Sequence, residues 1–599
     1  MSQRPQPSYV TLFTLFADRL FVVPEYQRLY SWEKQQLDEL FSDLRDLSNK
    51  AEDEDHYMGG IVLHTLKTCT IGSIKYRLCD VVDGQQRLTT LIILLKCIQL
   101  ELADLLADLL KRGDDPQYLK SIKVTKEELD NIKVSEKQLT ETLIKPMGQL
   151  LLLQLNNPTQ HIFDRFIREG REPDKNDLKT QADRKLASAI RECKAFVNQW
   201  QKGFGNPAQS LLELSLLIND RLGFVVYETV DERTVHTIFE SLNSRGRPVD
   251  PLDKTKTVIM RAVYQSRKPE PVIANQIQRL QKLWAQIYQE MGKKGLPGEQ
   301  LLRVAATLNF GRPGKGKPLS TAKALKRINE QISKNPSDGL DFSDLLLRCA
   351  VKLNEVYRAP ERGKLSEILQ ARLLAVAIEL ATDLEDDQRK KLIDQLERVT
   401  FRIYGLFGKD ARYQVGKYVG LAVDIYRNRR KFGTYEEIMK KLHELGKDYP
   451  IDEAVKNGLA NKRQEDPEMC RYVLWEYEID LARKQDAVVP ENVRREIFHS
   501  TAEQSIEHIF PRNVNAQGWD NKIPSEHVDR IGNLLLLPVS LNKKAGDKPF
   551  AKKKEFYRDS KLCMADEVCE KEDWGLEQIK EREKRIMDFA KHRWADLDP

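Results

Sequence analysis

Residues 79–91 read CDVVDGQQRLTTL, an apolar run followed by an Asp-Gly pair and the start of a second apolar run. The first run suits a strand, and the second continues to residue 95 as LTTLIILL, which suits a buried helix. The Asp-Gly pair between them favours a tight turn. Free backbone N–H groups at the start of the helix would favour an anion such as phosphate. This turn and the first helical turn comprise Asp83, Gly84, Gln85, Gln86 and Arg87.

Short β-like runs and helical stretches alternate around this unit. RLFVVP and YMGGIVLHTL read as strands, whereas KQQLDELFSDLRDL reads as a helix. Their interleaving predicts an α/β domain. A further β-like run, RLGFVVYETV at 221–230, and the turn-rich NSRGRPVDPLD place the end of this domain near residue 260.

Two more domains are predicted after residue 260. From about 261 to 465 the apolar residues recur at helical spacing, as in SEILQARLLAVAIELATDL, which predicts a helical middle region. Residues 466–599 form the third predicted domain. The length of 599 residues agrees with this division, because a domain takes roughly 100–200 residues.

The stretch VPEYQRLYSW at 23–32 is rich in aromatic residues and precedes a predicted helix. One interpretation is an aromatic cluster in the core. The other is a surface that senses DNA, because aromatic rings and guanidinium planes stack on bases. The DGQQR stretch is likewise open to two interpretations, an anion site or a plain helix-capping turn. The candidate DNA contacts in the aromatic stretch are Tyr26, Gln27, Arg28, Tyr30 and Trp32.

The C-terminal domain contains EHIFPRN at 507–513 and IGNLLLLPVSLNKKAGDKPFAKKK at 531–554. Histidine suits a general base because its unperturbed pKa lies near neutrality, so His508 is the candidate base. Oxygen atoms of Glu507 and Asn542 suit magnesium, and Asn533 could orient the imidazole. Consecutive strand residues face opposite sides, so Glu507 and His508 converge only at a strand end or a bulge.

Positive charge is concentrated just after these residues. Between 541 and 558 the chain has seven basic and two acidic residues, a local excess of five positive charges. A solvated helix face is one explanation, and a surface for DNA phosphates is the other. The candidate DNA contacts here are Lys543, Lys544, Lys548, Lys552, Lys553 and Lys554.

Composition excludes several other classes. The net charge of +6 comes from 97 basic and 91 acidic residues, which is too balanced to indicate nucleic-acid binding alone. The eight cysteines include no C-x-x-C pair, so neither a disulfide framework nor a zinc site is predicted. The longest apolar runs are too short for a membrane span, and the N-terminus lacks the features of a secretory signal. We therefore expect a cytoplasmic protein with no membrane partner.

Both ends of the chain resemble GmrSD-type, modification-dependent (type IV) restriction enzymes. PEYQRLYSW, the DGQQR at 83–87 and FESLNSRGRPVDPLDKTK at 239–256 are similar to the family's N-terminal ParB/sulfiredoxin-like domain. Glu507-His508-Ile509-Phe510-Pro511, Gly532-Asn533-Leu534 and Leu541-Asn542 are similar to the HNH, or ββα-metal, nuclease domain. The resemblance implies a multidomain α+β protein with a ParB/sulfiredoxin-like front, a helical middle and an HNH nuclease at the back.

The resemblance also implies roles. The residues at 83–87 would bind a nucleoside triphosphate, with NTPase activity in the front domain. His508 would be the base, Asn533 its support, and Glu507 with Asn542 the ligands of Mg²⁺ or Mn²⁺. The expected activity is nucleotide-regulated cleavage of modified DNA in antiphage defence. A homo-oligomer would allow two sites to make a double-strand break. A DNA-binding regulator without cleavage and a nonspecific nuclease remain alternatives.

Overall fold

The computed structural model describes residues 7–51, 54–111, 125–145, 150–203, 206–231, 234–235, 250–266, 268–311, 316–357, 359–427, 434–460, 466–513, 518–519 and 523–598. Positions 239–249 of the stretch FESLNSRGRPVDPLDKTK lie outside these described residues. The chain forms two compact units. One comprises residues 1–305 and 320–351, and the other comprises 306–319 and 352–599.

The first unit is built on a mixed six-stranded sheet with the order β1-β8-β3-β4-β2-β7. The β1/β8 and β3/β4 pairs are antiparallel, whereas β2/β4, β2/β7 and β3/β8 are parallel. Strands β5 and β6 form a separate antiparallel pair. The strands are β1 Ser8–Thr11, β2 Arg19–Val23, β3 His56–Ile71, β4 Ile74–Asp83, β5 Ile144–Lys145, β6 Leu150–Leu151, β7 Leu153–Leu155 and β8 Leu222–Thr229.

The strand, turn and helix predicted at 79–91 are present. Strand β4 ends at Asp83, Gly84 turns the chain with a φ of +96°, and a helix begins at Gln85. That positive φ favours glycine because it has no Cβ. The helix is buried along most of its first four turns and packs against three other helices of the unit. The helices up to residue 264 are α1 Leu12–Ala17, α2 Lys34–Ser48, α3 Gln85–Lys111, α4 Lys126–Leu143, α5 Gln160–Glu169, α6 Gln181–Lys202, α7 Pro207–Arg221 and α8 Pro251–Tyr264.

The described residues between 265 and 460 are helical and contain no strand, as the apolar spacing predicts. Two short π-helical segments, Phe401–Leu406 and Lys456–Ala460, interrupt the α-helices. The α-helices are α9 Glu270–Lys294, α10 Gly298–Phe310, α11 Thr321–Lys334, α12 Asp338–Val356, α13 Lys364–Glu367, α14 Leu369–Glu379, α15 Asp386–Thr400, α16 Val415–Arg427, α17 Tyr435–Gly446 and α18 Ile451–Val455.

Among the described residues of the C-terminal part of the second unit, β9 Ile506–His508 and β10 Leu534–Leu536 form an antiparallel strand pair. A four-residue helix, Ser525–Val528, lies between the two strands in the chain, and a helix that carries Asn542 follows β10. A continuous apolar core surrounds the pair and includes Trp574 and Trp594. The helices here are α19 Pro467–Lys484, α20 Glu491–His499, α21 Ala502–Ser505, α22 Ser525–Val528, α23 Val539–Ala545, α24 Phe550–Asp559, α25 Cys563–Cys569 and α26 Leu576–Arg593.

The chain is thus a multidomain α+β protein, mostly helical with one mixed sheet, in agreement with the coarse fold expectation. The three-domain division at 260 and 465 and the ParB-like and HNH assignments stay predictions at this point.

Candidate active site

The two short strands β9 and β10 set the positions of Glu507 and His508. His508 pairs with Leu534, and Glu507 pairs with Leu535. Because successive strand residues point to opposite faces, the two side chains separate. Glu507 is buried at 4% exposure, whereas His508 lies at the strand end and keeps partial exposure. The two neighbouring side chains therefore have different surroundings, one buried and one at the end of the strand.

An aspartate that the sequence motifs did not point to orients His508. The Nε2 atom of His508 lies 2.9 Å from Oδ1 of Asp529, and Arg512 Nε donates to the same oxygen at 2.8 Å. Since a carboxylate only accepts hydrogen bonds, the proton belongs on Nε2 and the lone pair on Nδ1. Nδ1 makes no hydrogen bond with any residue that the structure describes.

The surroundings of His508 keep the ring neutral. Burial lowers the pKa of His508 to about 4, and the nearby Arg512 adds to the effect. Asp529 opposes this shift without reversing it. The imidazole is therefore unprotonated at neutral pH, which is the form that a general base needs.

Asn533 holds the chain that follows His508. Its Oδ1 accepts from the backbone N–H of Phe510 at 2.8 Å and from Trp574 Nε1 at 3.1 Å. Its Nδ2 donates to the carbonyl oxygens of Phe510 at 2.9 Å and Val528 at 2.8 Å. All of these bonds are buried, so Asn533 is a rigid support for this chain and not a group that faces a substrate. Arg582 adds to the support by donating to the carbonyl oxygens of residues 531, 532 and 534.

Glu507 belongs to a buried polar cluster. Its Oε1 atom accepts from Lys553 Nζ at 2.6 Å and from the Tyr557 hydroxyl at 3.0 Å. Lys553 also donates to the carbonyl oxygen of His508 at 2.7 Å. Burial raises the pKa of Glu507 and lowers that of Lys553, and each partner's charge opposes the other's shift.

The structure corrects the predicted role of Lys553 as a DNA contact. The sequence assigned it to the DNA-facing lysines, but its side chain has no solvent exposure. It lies on the inner side of helix α24, four residues before the buried Tyr557, and residues four apart share one helix face. By contrast, Lys543, Lys544, Lys548 and Lys552 are exposed. Lys554 is half-buried, with its Nζ donating to the carbonyl oxygen of Lys571 and lying over the ring of Phe550.

Asn542 has a side-chain oxygen near β9 of the type that a hard divalent cation binds. Asn542 Nδ2 donates to the carbonyl oxygens of Gln504 and Ile506, at 2.9 and 3.1 Å, which fixes the amide orientation. Its Oδ1 accepts no hydrogen bond from a described residue. The described ranges hold no group of three or more histidine, cysteine, aspartate or glutamate side chains arranged for a metal. Magnesium needs fewer ligands, because it retains waters and also binds substrate phosphate.

In the first unit, the DGQQR stretch and the aromatic stretch interlock. Gln85 Nε2 donates to the carbonyl oxygen of Arg28 at 3.0 Å. Gln86 accepts from the backbone N–H of Ser31 at 2.9 Å and donates to the carbonyl oxygen of Leu29 at 3.3 Å. In return, Gln27 donates to the carbonyl oxygen of Val82 at 3.0 Å. The glutamine side chains therefore join the two stretches.

This interlock corrects the sequence-based assignment of several DNA contacts. Tyr26, Gln27 and Tyr30 are buried, and the Tyr30 hydroxyl is hydrogen-bonded to Thr90 at 2.8 Å. Their side chains are committed to the interior, as the core interpretation of this stretch expected. Arg28 and Trp32 keep partial exposure. The predicted DNA surface in this stretch therefore reduces to those two side chains.

A charged cluster lies beside the start of helix α3. Arg87 donates to the carbonyl oxygens of Met58 and Gly60, both at 2.6 Å, and lies 3.8 Å from Asp83. Burial raises the pKa of Asp83, and Arg87 opposes this shift. Arg87 is therefore bonded to the backbone of strand β3.

Two residues of helix α8 join this cluster, and the sequence motifs gave them no role. Asp253 lies 3.8 Å from Arg28. Lys256 is buried and donates to the carbonyl oxygen of Tyr26 at 3.3 Å and to Gln27 Oε1 at 3.4 Å. Burial lowers the pKa of Lys256 to about 8. Helix α8 therefore brings charged groups to the stretch that contains Arg28.

Comparison with known families defines the class of protein. Residues 12–260 match the GmrSD restriction endonuclease N-terminal domain, and residues 449–589 match the GmrSD restriction endonuclease C-terminal domain. A chain with both domains in this order is a restriction endonuclease, and its substrate class is DNA. It belongs to the GmrSD-like type IV restriction enzymes, which confirms the resemblance seen in the sequence. No curated protein matches the chain. Of the described helices, none has the length and apolar character needed to cross a membrane.

Proposed function

We propose that this restriction enzyme is a nucleotide-regulated, metal-dependent DNA endonuclease that cuts modified foreign DNA through an HNH-type site. The observation that carries the proposal is the hydrogen bond between His508 and Asp529, next to the fully bonded Asn533. It leaves a neutral imidazole with an available Nδ1 at the end of a strand. The antiparallel β9/β10 pair and the helix that follows β10 support the ββα-metal assignment.

In the proposed reaction, Nδ1 of His508 accepts a proton from the water that attacks the phosphodiester phosphorus. Asp529 holds the ring by its Nε2–H and stabilises the imidazolium that forms. Asn533 keeps the following chain in place. Oxygen atoms of Glu507 and Asn542 would hold Mg²⁺ or Mn²⁺. The bound ion would supply charge stabilisation at the phosphate and the leaving oxygen. The exposed lysines of 543–552 would contact phosphates of the DNA backbone.

The front unit is proposed to bind a nucleoside triphosphate at the start of helix α3. The Gly84 turn leads directly into this long helix, whose first N–H groups would offer a phosphate group hydrogen-bond donors, and Arg28 and Arg87 would add positive charge. Gln85 and Gln86 would act by fixing the loop and not by touching the nucleotide, because their amides bind the backbone at 28–31.

The test is cleavage of unmodified, glucosylated and phosphorothioated plasmid DNA, with Mg²⁺ or Mn²⁺ and with or without nucleoside triphosphates. His508→Ala should slow cutting by about 10²- to 10⁴-fold. His592→Ala is the matched control, since His592 is exposed on helix α26. Asp83→Ala should change the nucleotide response but not the metal requirement. Cutting of every plasmid alike would indicate a nonspecific nuclease. DNA binding without any cutting would overturn the proposal in favour of a regulator.

A further inference from the structure

A lysine ammonium occupies the interior of the nuclease site. Lys553 has no solvent exposure, and its Nζ lies 2.6 Å from Glu507 Oε1 and 2.7 Å from the carbonyl oxygen of His508. The Tyr557 hydroxyl reaches the same Glu507 oxygen at 3.0 Å. Helix α24 therefore presents two donors to one carboxylate.

Lys553 has a different role from the exposed lysines around it. A side chain without exposure does not contact a DNA phosphate. Burying a charge is costly unless the charge is well partnered, and the carboxylate partner of Lys553 is Glu507. Glu507 is the same carboxylate that the proposed function gives to the metal. A fixed ammonium and a divalent cation would both be attracted to this group, and they repel each other.

We propose that Lys553 is an internal counter-cation that holds the Glu507 carboxylate in the metal-free enzyme and competes with the divalent metal for it. This inference rests on the proposed function, in which Glu507 is a metal ligand. The bond from Lys553 to the His508 carbonyl oxygen provides the ammonium with a second partner when it yields the carboxylate. Lys553 is therefore a positioning residue that sets the metal affinity of the site.

The experiment compares Mn²⁺ binding by the full-length wild type and by Lys553→Gln, using calorimetry on metal-free protein. Glutamine removes the charge but keeps hydrogen-bond donors. Removal of a like charge a few ångströms from the metal should tighten Mn²⁺ binding by at least about tenfold. Mn²⁺ should also raise the melting temperature of Lys553→Gln more than that of the wild type, because binding to the folded state stabilises it. Equal or weaker Mn²⁺ binding by the variant would overturn the proposal.

Four further variants make the result specific. Lys552→Gln removes the charge of the exposed neighbour and should leave Mn²⁺ affinity within about twofold of the wild type. Tyr557→Phe keeps the ammonium and should not produce the gain. Glu507→Gln combined with Lys553→Gln should lose the gain, because the shared carboxylate is gone. A gain that persists in this double variant would overturn the role given to Glu507. If Lys553→Gln folds only with metal, Lys553→Arg provides the comparison, because arginine keeps the positive charge. Lys553→Arg should then fold without metal.

Wild-type behaviour separates this proposal from the proposed function. If the wild type neither binds Mn²⁺ nor cuts any plasmid, both fail. If the wild type cuts in a metal-dependent manner but Lys553→Gln shows no change in Mn²⁺ affinity, the counter-cation role alone fails.

Discussion

His508 Nε2 lies 2.9 Å from Asp529 Oδ1, and this bond determines which ring nitrogen is free to accept a proton. Replacing Asp529 with Asn allows the amide to present its NH₂ group, which favours the opposite tautomer. We expect Asp529→Asn to slow single-turnover cleavage by about 10- to 100-fold with little change in DNA affinity, as for other residues that orient a histidine. His508→Ala should slow it by about 10²- to 10⁴-fold, the usual contribution of a general base.

Arg512 provides the control for this prediction, because it bonds the same carboxylate oxygen from a mostly exposed position. Arg512→Gln should affect the rate less than Asp529→Asn at saturating DNA. A larger rate loss from Arg512→Gln would show that the guanidinium, and not the imidazole, is the important partner of Asp529.

Asn533 and Asn542 should respond differently to alanine. Asn533→Ala leaves several buried backbone and indole groups without partners, so the free energy of unfolding should fall by at least about 3 kcal/mol. Asn542→Ala removes bonds near the surface and should cost only about 1 kcal/mol. Urea unfolding measures the first effect. Mn²⁺ affinity tests the metal-ligand role of Asn542, because Asn542→Ala should lose metal binding at a stability cost of only about 1 kcal/mol.

Much of the candidate site could be predicted from sequence because the motifs are local. The Gly84 turn and the short strand that contains Glu507 and His508 follow from short-range rules of turn chemistry and apolar patterning, whereas the bonds of Asn533 reach Phe510 and Trp574, which lie 23 and 41 positions away. The partners of these residues could not be predicted in the same way. Asp529 is 21 positions from His508, and Lys553 is 46 positions from Glu507. Nothing in either spacing indicates that the two residues meet.

The burial of individual side chains also could not be predicted from the sequence. Lys552, Lys553 and Lys554 are consecutive, yet one is exposed, one fully buried and one half-buried, because a helix turns about 100° per residue. Tyr26 and Tyr30 have the composition of a base-stacking surface, but the amides of Gln85 and Gln86 hold their loop against helix α3. These tertiary hydrogen bonds favour an aromatic cluster in the core over a surface that stacks on bases.

Gln86 is bonded to the loop at 28–31. We therefore expect its replacement to lower the stability of the fold, and to weaken nucleotide binding only as a consequence. Gln86→Leu should leave the N–H of Ser31 without its acceptor and lower the melting temperature and nucleotide binding together. Asp83→Asn changes a group beside the proposed phosphate position and should alter nucleotide binding with a smaller change in melting temperature. Thermal melting and binding of a fluorescent triphosphate, measured on the same samples, distinguish the two. Intact binding by a destabilised Gln86→Leu protein would contradict this assignment.

Glu478 predicts a pH dependence of stability. Its carboxylate accepts from the backbone N–H groups of Cys563 and Met564, both at 2.8 Å, at the start of helix α25. Burial nevertheless raises its pKa to about 7. The carboxyl of Glu478 therefore keeps its proton up to about pH 7 in the folded state, whereas in the unfolded state it loses the proton near pH 4.5. The contribution of this proton to the free energy of unfolding is full below pH 4.5 and is lost as the pH rises through 7.

The measurement for Glu478 is the difference in unfolding free energy between the wild type and Glu478→Gln at several pH values. Between pH 4.5 and 7, the unfolding free energy of the wild type should fall by roughly 3 kcal/mol relative to that of Glu478→Gln. Glu572→Gln, at an exposed position, should show no such trend. A flat difference for Glu478→Gln would mean that the two N–H groups offset its burial.

The exposed lysines after β10 should determine how DNA binding depends on salt. Each neutralised phosphate releases counterions, so the slope of log affinity against log salt falls by about 0.9 for each phosphate that a variant no longer neutralises. Replacing Lys543, Lys544 and Lys548 together by Ala should reduce the slope by up to about 2.7 and weaken binding equally for modified and unmodified duplexes.

Replacing Lys323 and Lys326, which are exposed on helix α11, tests whether any removal of surface charge has the same effect. If the α11 pair lowers the slope as much per lysine, the cluster after β10 has no special part in holding DNA. Weakening confined to modified duplexes would instead place the recognition of the modification beside the nuclease site.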